Sequence, residues 1–122
     1  MKKLMKIDQA IIENNRVNLL THESITGLMP REHILVDSDH FSFIYLLEEN
    51  DQYVYIVLEE SIWPILKESI DKKVPAYLIS NQEEVELPSF QAELEYIIHN
   101  IKGNGNYGEE MVEKVEKTFK LY

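Results

Sequence analysis

The stretch FSFIYLLEENDQYVYIVL, residues 41–58, constrains the fold more than any other part of the chain. Two runs rich in aromatic and β-branched residues flank Asn50-Asp51, a pair that tolerates the positive φ angles of a tight hairpin turn. Such a turn fixes the register, so that Glu48 opposes Tyr53, Leu46 opposes Tyr55 and Phe43 opposes Leu58. Alternation then sorts the hairpin into two faces. Phe41, Phe43, Tyr45, Leu47, Val54, Ile56 and Leu58 form one, apolar apart from a tyrosine hydroxyl, and this is the expected core face. The other carries Ser42, Ile44, Leu46, Glu48, Tyr53, Tyr55 and Val57 and is mixed. Left bare, its Ile44, Leu46, Tyr53 and Tyr55 would form a binding or dimer surface. The chain's amphipathic helices need surfaces to pack on, so a helix lying over this second face is the expectation.

The remaining pattern supplies those helices and further strands. Residues 2–12 and 16–22 read as two strands around Asn14-Asn15, although the alternation of the first is imperfect. Gly27 and Pro30 punctuate residues 26–39, where 31–36 read as a short helical turn with Pro30 at its start. Ser61 is the expected N-cap of a helix over 62–72, with Pro64 in its first turn. Short strands are expected at 76–80 and 84–87. Phe90, Leu94, Ile97, Ile98 and Ile101 then form one helical stripe, and Tyr107, Met111, Val115 and Phe119 another. On the outer side of the last helix, Glu110–Lys114, Glu113–Lys117 and Glu116–Lys120 stand at the spacing of i,i+4 ion pairs. The order predicts one α+β domain over residues 1–122. Its mostly antiparallel sheet has about five to six strands, with one helix after the central hairpin and two C-terminal helices.

Between the last two helices, Gly103-Asn104-Gly105-Asn106-Tyr107-Gly108 spells the G-x-G-x-x-G string of dinucleotide-binding loops. That motif needs a strand before it and a second strand beyond its helix. Here a helix precedes it, and Glu109 and Glu110 occupy the first turn where a phosphate would sit. The structural reading explains the same residues: Gly103 ends one helix in a left-handed conformation, and Asn106 caps the next in a capping box with Glu109. No nucleotide is expected.

The other chemically suggestive stretch is HILVDSDHF, residues 33–41. On an extended backbone Asp37 and Asp39 project from one face, with His33 and His40 beside them. Asp37, Asp39 and His40 would then make a ligand set for Mg²⁺, Mn²⁺ or Zn²⁺ and a metal-dependent hydrolase. The same DSD also reads as a turn, because Asp and Ser side chains bond to nearby backbone N–H groups. With no cysteine, thiolate nucleophiles and Cys-based metal sites are excluded. No serine sits in a nucleophile elbow. His99 is expected in solvent, His22 in a strand without a recognisable partner, and acid pairs such as Glu59/Glu60 and Glu83/Glu84 at solvated element ends.

The formal net charge of −10 disfavours nucleic acid and anionic membranes and favours basic partners. Lys6 and Asp8 interrupt any apolar leader, and no run approaches the ~18 apolar residues of a membrane span, so a cytoplasmic protein is expected. HILVDSDHFSFIYLLE (33–48) and SFQAELEYIIHNIKGNGNYGEEMVEKVEKTF (89–119) resemble a family of small acidic proteins from bacilli and related Gram-positive bacteria, the YjbL-like family. The resemblance runs essentially end to end and implies a stand-alone cytosolic bacterial domain. It brings no catalytic residues with it. The residues themselves favour a non-catalytic module that contacts a protein partner or a second copy of itself, without a cofactor. The metal-dependent hydrolase is the alternative.

Overall fold

The hairpin forms as its pattern requires. Asn50 and Asp51 adopt φ of 49° and 63°, and Leu46 pairs with Tyr55 and Phe43 with Leu58. Around it the computed structural model describes residues 3–121. In chain order these form β1 (Lys3–Lys6), β2 (Gln9–Glu13), β3 (Arg16–Leu20), β4 (Met29–Asp37), β5 (Ser42–Glu49), β6 (Gln52–Glu59), α1 (Trp63–Lys72), β7 (Ala76–Ser80), β8 (Glu83–Glu86), α2 (Phe90–Ile101) and α3 (Glu109–Phe119).

The α+β class holds, but the single, mostly antiparallel sheet does not. The strands form two four-stranded sheets, ordered β1-β6-β5-β4 and β2-β3-β7-β8. Each is mixed: β1 runs parallel to β6, and β3 runs parallel to β7. The split begins inside the first expected strand. Met5, Ile7 and Ala10 are all buried, so the inward set changes from odd to even positions around Asp8. One flat strand cannot keep both sets inward, because its side chains alternate strictly. The chain therefore breaks there and enters the second sheet, where Asn14 and Asn15, at φ 56° and 60°, turn it into β3.

The short helical turn expected over 31–36 is strand instead. β4 pairs with β5 from Met29 to Asp37, with a shift in register between Pro30 and Ile34 and Glu32 at φ 52°. An edge strand accommodates both a proline and a bulge. Burying Ile34 against the core favours this pairing over a local turn.

All three helices lie on the inner side. Phe43 of β5 meets Trp63 at 5.0 Å and Phe119 of α3 at 6.1 Å between ring centroids, while Tyr45 stacks on Phe90 of α2 at 5.8 Å. Trp63 Nε1–H donates to the Leu58 carbonyl at 3.1 Å, and the Tyr45 hydroxyl donates to the Pro88 carbonyl at 2.7 Å. Burial pushes the Tyr45 hydroxyl well above its ordinary pKa. The inner faces of the two sheets and the helices share one core.

Helix ends depart from the sequence reading. Ser61 lies in a 3₁₀ turn over Glu60–Ile62 and Ile62 is the N-cap of α1, with Pro64 in the first turn as expected. Trp63, the residue before that proline, is helical at φ −57° and ψ −38°, and its ring packs on Phe43. On α3, Lys114 reaches Glu60 at 3.3 Å, and the Glu116 carboxylate accepts the Gly103 N–H at 2.7 Å. Tertiary partners thus replace two of the expected i,i+4 partners.

His22, just beyond β3, does have a partner: its Nδ1 lies 2.9 Å from the Asp8 carboxylate and closes the open end of the β2–β3 hairpin. The hydrogen bond raises the His22 pKa above its ordinary 6.5 and lowers that of Asp8 below 3.8. A raised imidazole pKa stabilises the fold fully below 6.5, and that contribution fades as pH climbs through the folded value. The Asp8 contribution is present above 3.8 and is lost as pH falls through its lowered value. In an NMR titration, His22 is expected to titrate above 6.5 and to return towards it in Asp8→Asn. A native midpoint at or below 6.5 contradicts the pairing.

Candidate functional site

With the helices on the inner side, the outer face of the first sheet has no helix over it among the described residues. The expectation that a helix covers the second face of the hairpin is therefore corrected. The helices meet the inner faces and one another, which satisfies their apolar stripes without a second layer.

Across this outer face runs a groove of about 1020 Å³. Its apolar floor draws on every strand of the sheet: Leu4 from β1, Tyr55 and Val57 from β6, Ile44 from β5, Leu35 from β4. Register explains the assembly, because Leu4 pairs with Tyr55, Ile44 with Val57 and Leu35 with Ile44, so all point the same way. Ile44 is 6% exposed and deeply set, whereas Leu4 is 57% exposed at the edge strand. Leu46 and Tyr53 share the face but lie farther along it, outside the groove, with Tyr53 49% exposed.

One end of the groove is acidic. Glu23, Asp37, Asp39 and Glu59 border it, with Lys6 as the sole lysine and His40 beside them. Of the two stretches that the sequence offered as separate candidates, Ile44 and Tyr55 of the tyrosine face and the 37–40 segment line the same groove, while Leu46 and Tyr53 do not.

The 37–40 segment is a turn stabilised by its own side chains. Asp37 accepts the His40 N–H at 3.2 Å and lies 2.8 Å from His40 Nδ1, while Ser42 Oγ–H donates to the His40 carbonyl at 3.0 Å. The backbone over Ser38–His40 is 3₁₀, not extended, so the geometry that would project Asp37 and Asp39 together is absent. His33 points elsewhere, to Glu93 of α2 at 3.5 Å. Among the described residues no group of three or more His, Asp or Glu is placed to hold a metal ion.

A family model described as a family of unknown function, UPF0738, matches residues 5–119. The chain belongs to the UPF0738 family. It is 42% identical to the UPF0738 protein of Bacillus licheniformis over 98% of this chain and 99% of that one. It is 39% identical to the UPF0738 protein YjbL of Bacillus subtilis over the same shares. Against the UPF0738 protein of Staphylococcus epidermidis it is 41% identical over 94% of this chain and 96% of the relative. No solved structure matches. No helix of the described residues is long and apolar enough to cross a membrane.

The glycine string of this UPF0738 chain joins α2 to α3. Gly103 takes φ 66° just past α2, as the sequence predicts. The capping differs: Gly108, not Asn106, is the N-cap of α3 at φ 92°, and the Asn106 N–H donates to Asn104 Oδ1 at 3.1 Å. A 3₁₀ turn over Gly105–Tyr107 intervenes, so Asn106 stands too early in the chain to cap. The amides of Gly103, Asn106, Tyr107 and Gly108 all donate to acceptors within the chain. They are committed before any phosphate arrives.

Other titratable groups of this family member also serve structure. Glu84 pairs with Arg16 at 2.6 Å, which lowers its pKa, and Arg16 stacks 4.3 Å above the Tyr77 ring. Glu83 accepts the Thr26 hydroxyl at 2.8 Å. His99 Nδ1 lies 2.8 Å from the Glu95 carbonyl one turn back on α2. The sequence missed Leu4 and Leu35 as parts of the site. Their signal, an apolar residue alternating with core residues, lies in strands whose partners are not fixed locally.

Proposed function

We propose that this UPF0738 protein is a non-catalytic protein-interaction module that engages its partner through the outer face of the first sheet. One observation carries the reading. Of the four large hydrophobic residues exposed among the described residues, Leu4, Met29 and Tyr53 share that face, and only Tyr96 lies elsewhere. Apolar side chains concentrated beside a groove mark a contact surface, whereas scattered ones need no explanation. The Ser42 hydroxyl in the groove donates to the His40 carbonyl rather than to its imidazole, which favours contact over chemistry.

Position-specific photo-crosslinking in living cells tests the proposal. A benzophenone side chain at position 53 is expected to yield a discrete adduct that Leu4→Glu abolishes. The same group at position 96, where Tyr96 is 68% exposed on α2, is expected to yield none. Equal adducts from both positions, or none from position 53, contradict it.

A further inference from the structure

Resting on the reading of the outer face as a contact surface, we infer that the groove takes a basic amphipathic helix of a partner protein. Shape supports a helix. The apolar floor spans all four strands, and neighbouring strands lie about 4.8 Å apart, so it is about 14 Å wide. A helix laid across the strands covers that distance in between two and three turns of about 5.4 Å each. An extended peptide would instead add to a sheet edge through its backbone.

Charge identifies the helix as basic. Glu23, Asp37, Asp39 and Glu59 outnumber Lys6 at the end where β1, β4 and β6 finish and β5 begins. Asp37 is engaged by the His40 imidazole at 2.8 Å and Glu23 accepts the Lys6 N–H at 3.1 Å, which leaves Asp39 and Glu59 as the carboxylates best placed to meet lysine or arginine. A second copy of this chain would bring the same acidic excess to the contact, and like charges across an interface are unfavourable. The apolar stripe of the incoming helix covers Leu4, Leu35, Ile44, Tyr55 and Val57, and its cations lie along the acidic end. An acid-bordered floor selects against acidic helices by the same charges that attract basic ones.

The test uses the full chain and designed probes. One peptide of about 14 residues, roughly four helical turns, carries a leucine stripe flanked by lysines, and its twin carries glutamates instead. Affinity is read by fluorescence anisotropy and location by side-chain NMR shifts. The leucine–lysine peptide is expected to move the resonances of Leu35, Ile44 and Val57, and the glutamate twin to leave them in place. Asp39→Asn with Glu59→Gln is expected to weaken the lysine peptide about five- to ten-fold and to flatten its salt dependence. Leu4→Ser, at an exposed edge position, is expected to weaken it several-fold through lost apolar contact.

Binding of the lysine peptide away from the groove, or equal binding of the glutamate twin, overturns the inference. If groove resonances shift only with protein concentration, the face joins copies of this chain. The helix inference then fails while the contact surface stands. If neither peptides nor concentration move them, both fail together.

Discussion

Trp63→Ala is expected to destabilise the protein by about 3–5 kcal/mol, the usual range for removing a fully buried tryptophan. Trp63 is 0% exposed and links three elements: it begins α1, meets Phe43 of β5 at 5.0 Å and meets Phe119 of α3 at 6.0 Å. Alanine would leave a cavity among these rings and deprive the Leu58 carbonyl of its 3.1 Å donor. Domains of this size have a total stability of only about 5–15 kcal/mol, so much of it would go. Urea unfolding followed by far-ultraviolet circular dichroism reads the change, since the variant lacks the only tryptophan. A loss below about 1 kcal/mol would mean that the three elements do not converge on this ring.

Met5→Ala is expected to cost about 2–5 kcal/mol and to act unevenly over the structure. β1 has four residues, pairs only with β6, and has Met5 as its one fully buried side chain. Met5 holds β1 against the core, while Leu4 and Lys6 on either side of it face the groove. Its truncation should therefore release β1 before the central strands. Hydrogen exchange is expected to rise first at residues 3–6, with β5 and β6 retaining most of their protection. Uniform loss of protection across the first sheet would show that β1 is not separately anchored.

What the sequence made legible was local. The 41–58 hairpin, its register and its core face follow from alternation and one turn, the last two helices follow from stripes of a single period, and the first is announced by Pro64 in its first turn. The partition into two sheets rests on β1 meeting β6 and β3 meeting β7 across long stretches of chain. Nothing near Leu4 or Val17 in sequence specifies those partners. The one local trace was the change of inward phase between Ile7 and Ala10, which had the look of imperfect alternation. β4 was hidden because Pro30 and the left-handed Glu32 are features of turns as much as of a bulged edge.

The candidate site was half legible for the same reason. Ile44 and Tyr55 belong to the hairpin and could be placed on one face; Leu4 and Leu35 join them only through non-local pairing. The bareness of the face was not legible. Amphipathic helices announce that they need a surface, but not which one. Here Phe90, Trp63 and Phe119 all turn to the inner rings of β5.

Hydroxyl-radical footprinting, performed on the purified protein and again inside growing cells, tests the central claim most directly. The account predicts that Leu4, Met29 and Tyr53 react readily in dilute solution and are protected in cells, while Tyr96 reacts equally in both. Unchanged reactivity of Leu4, Met29 and Tyr53 inside the cell would contradict it.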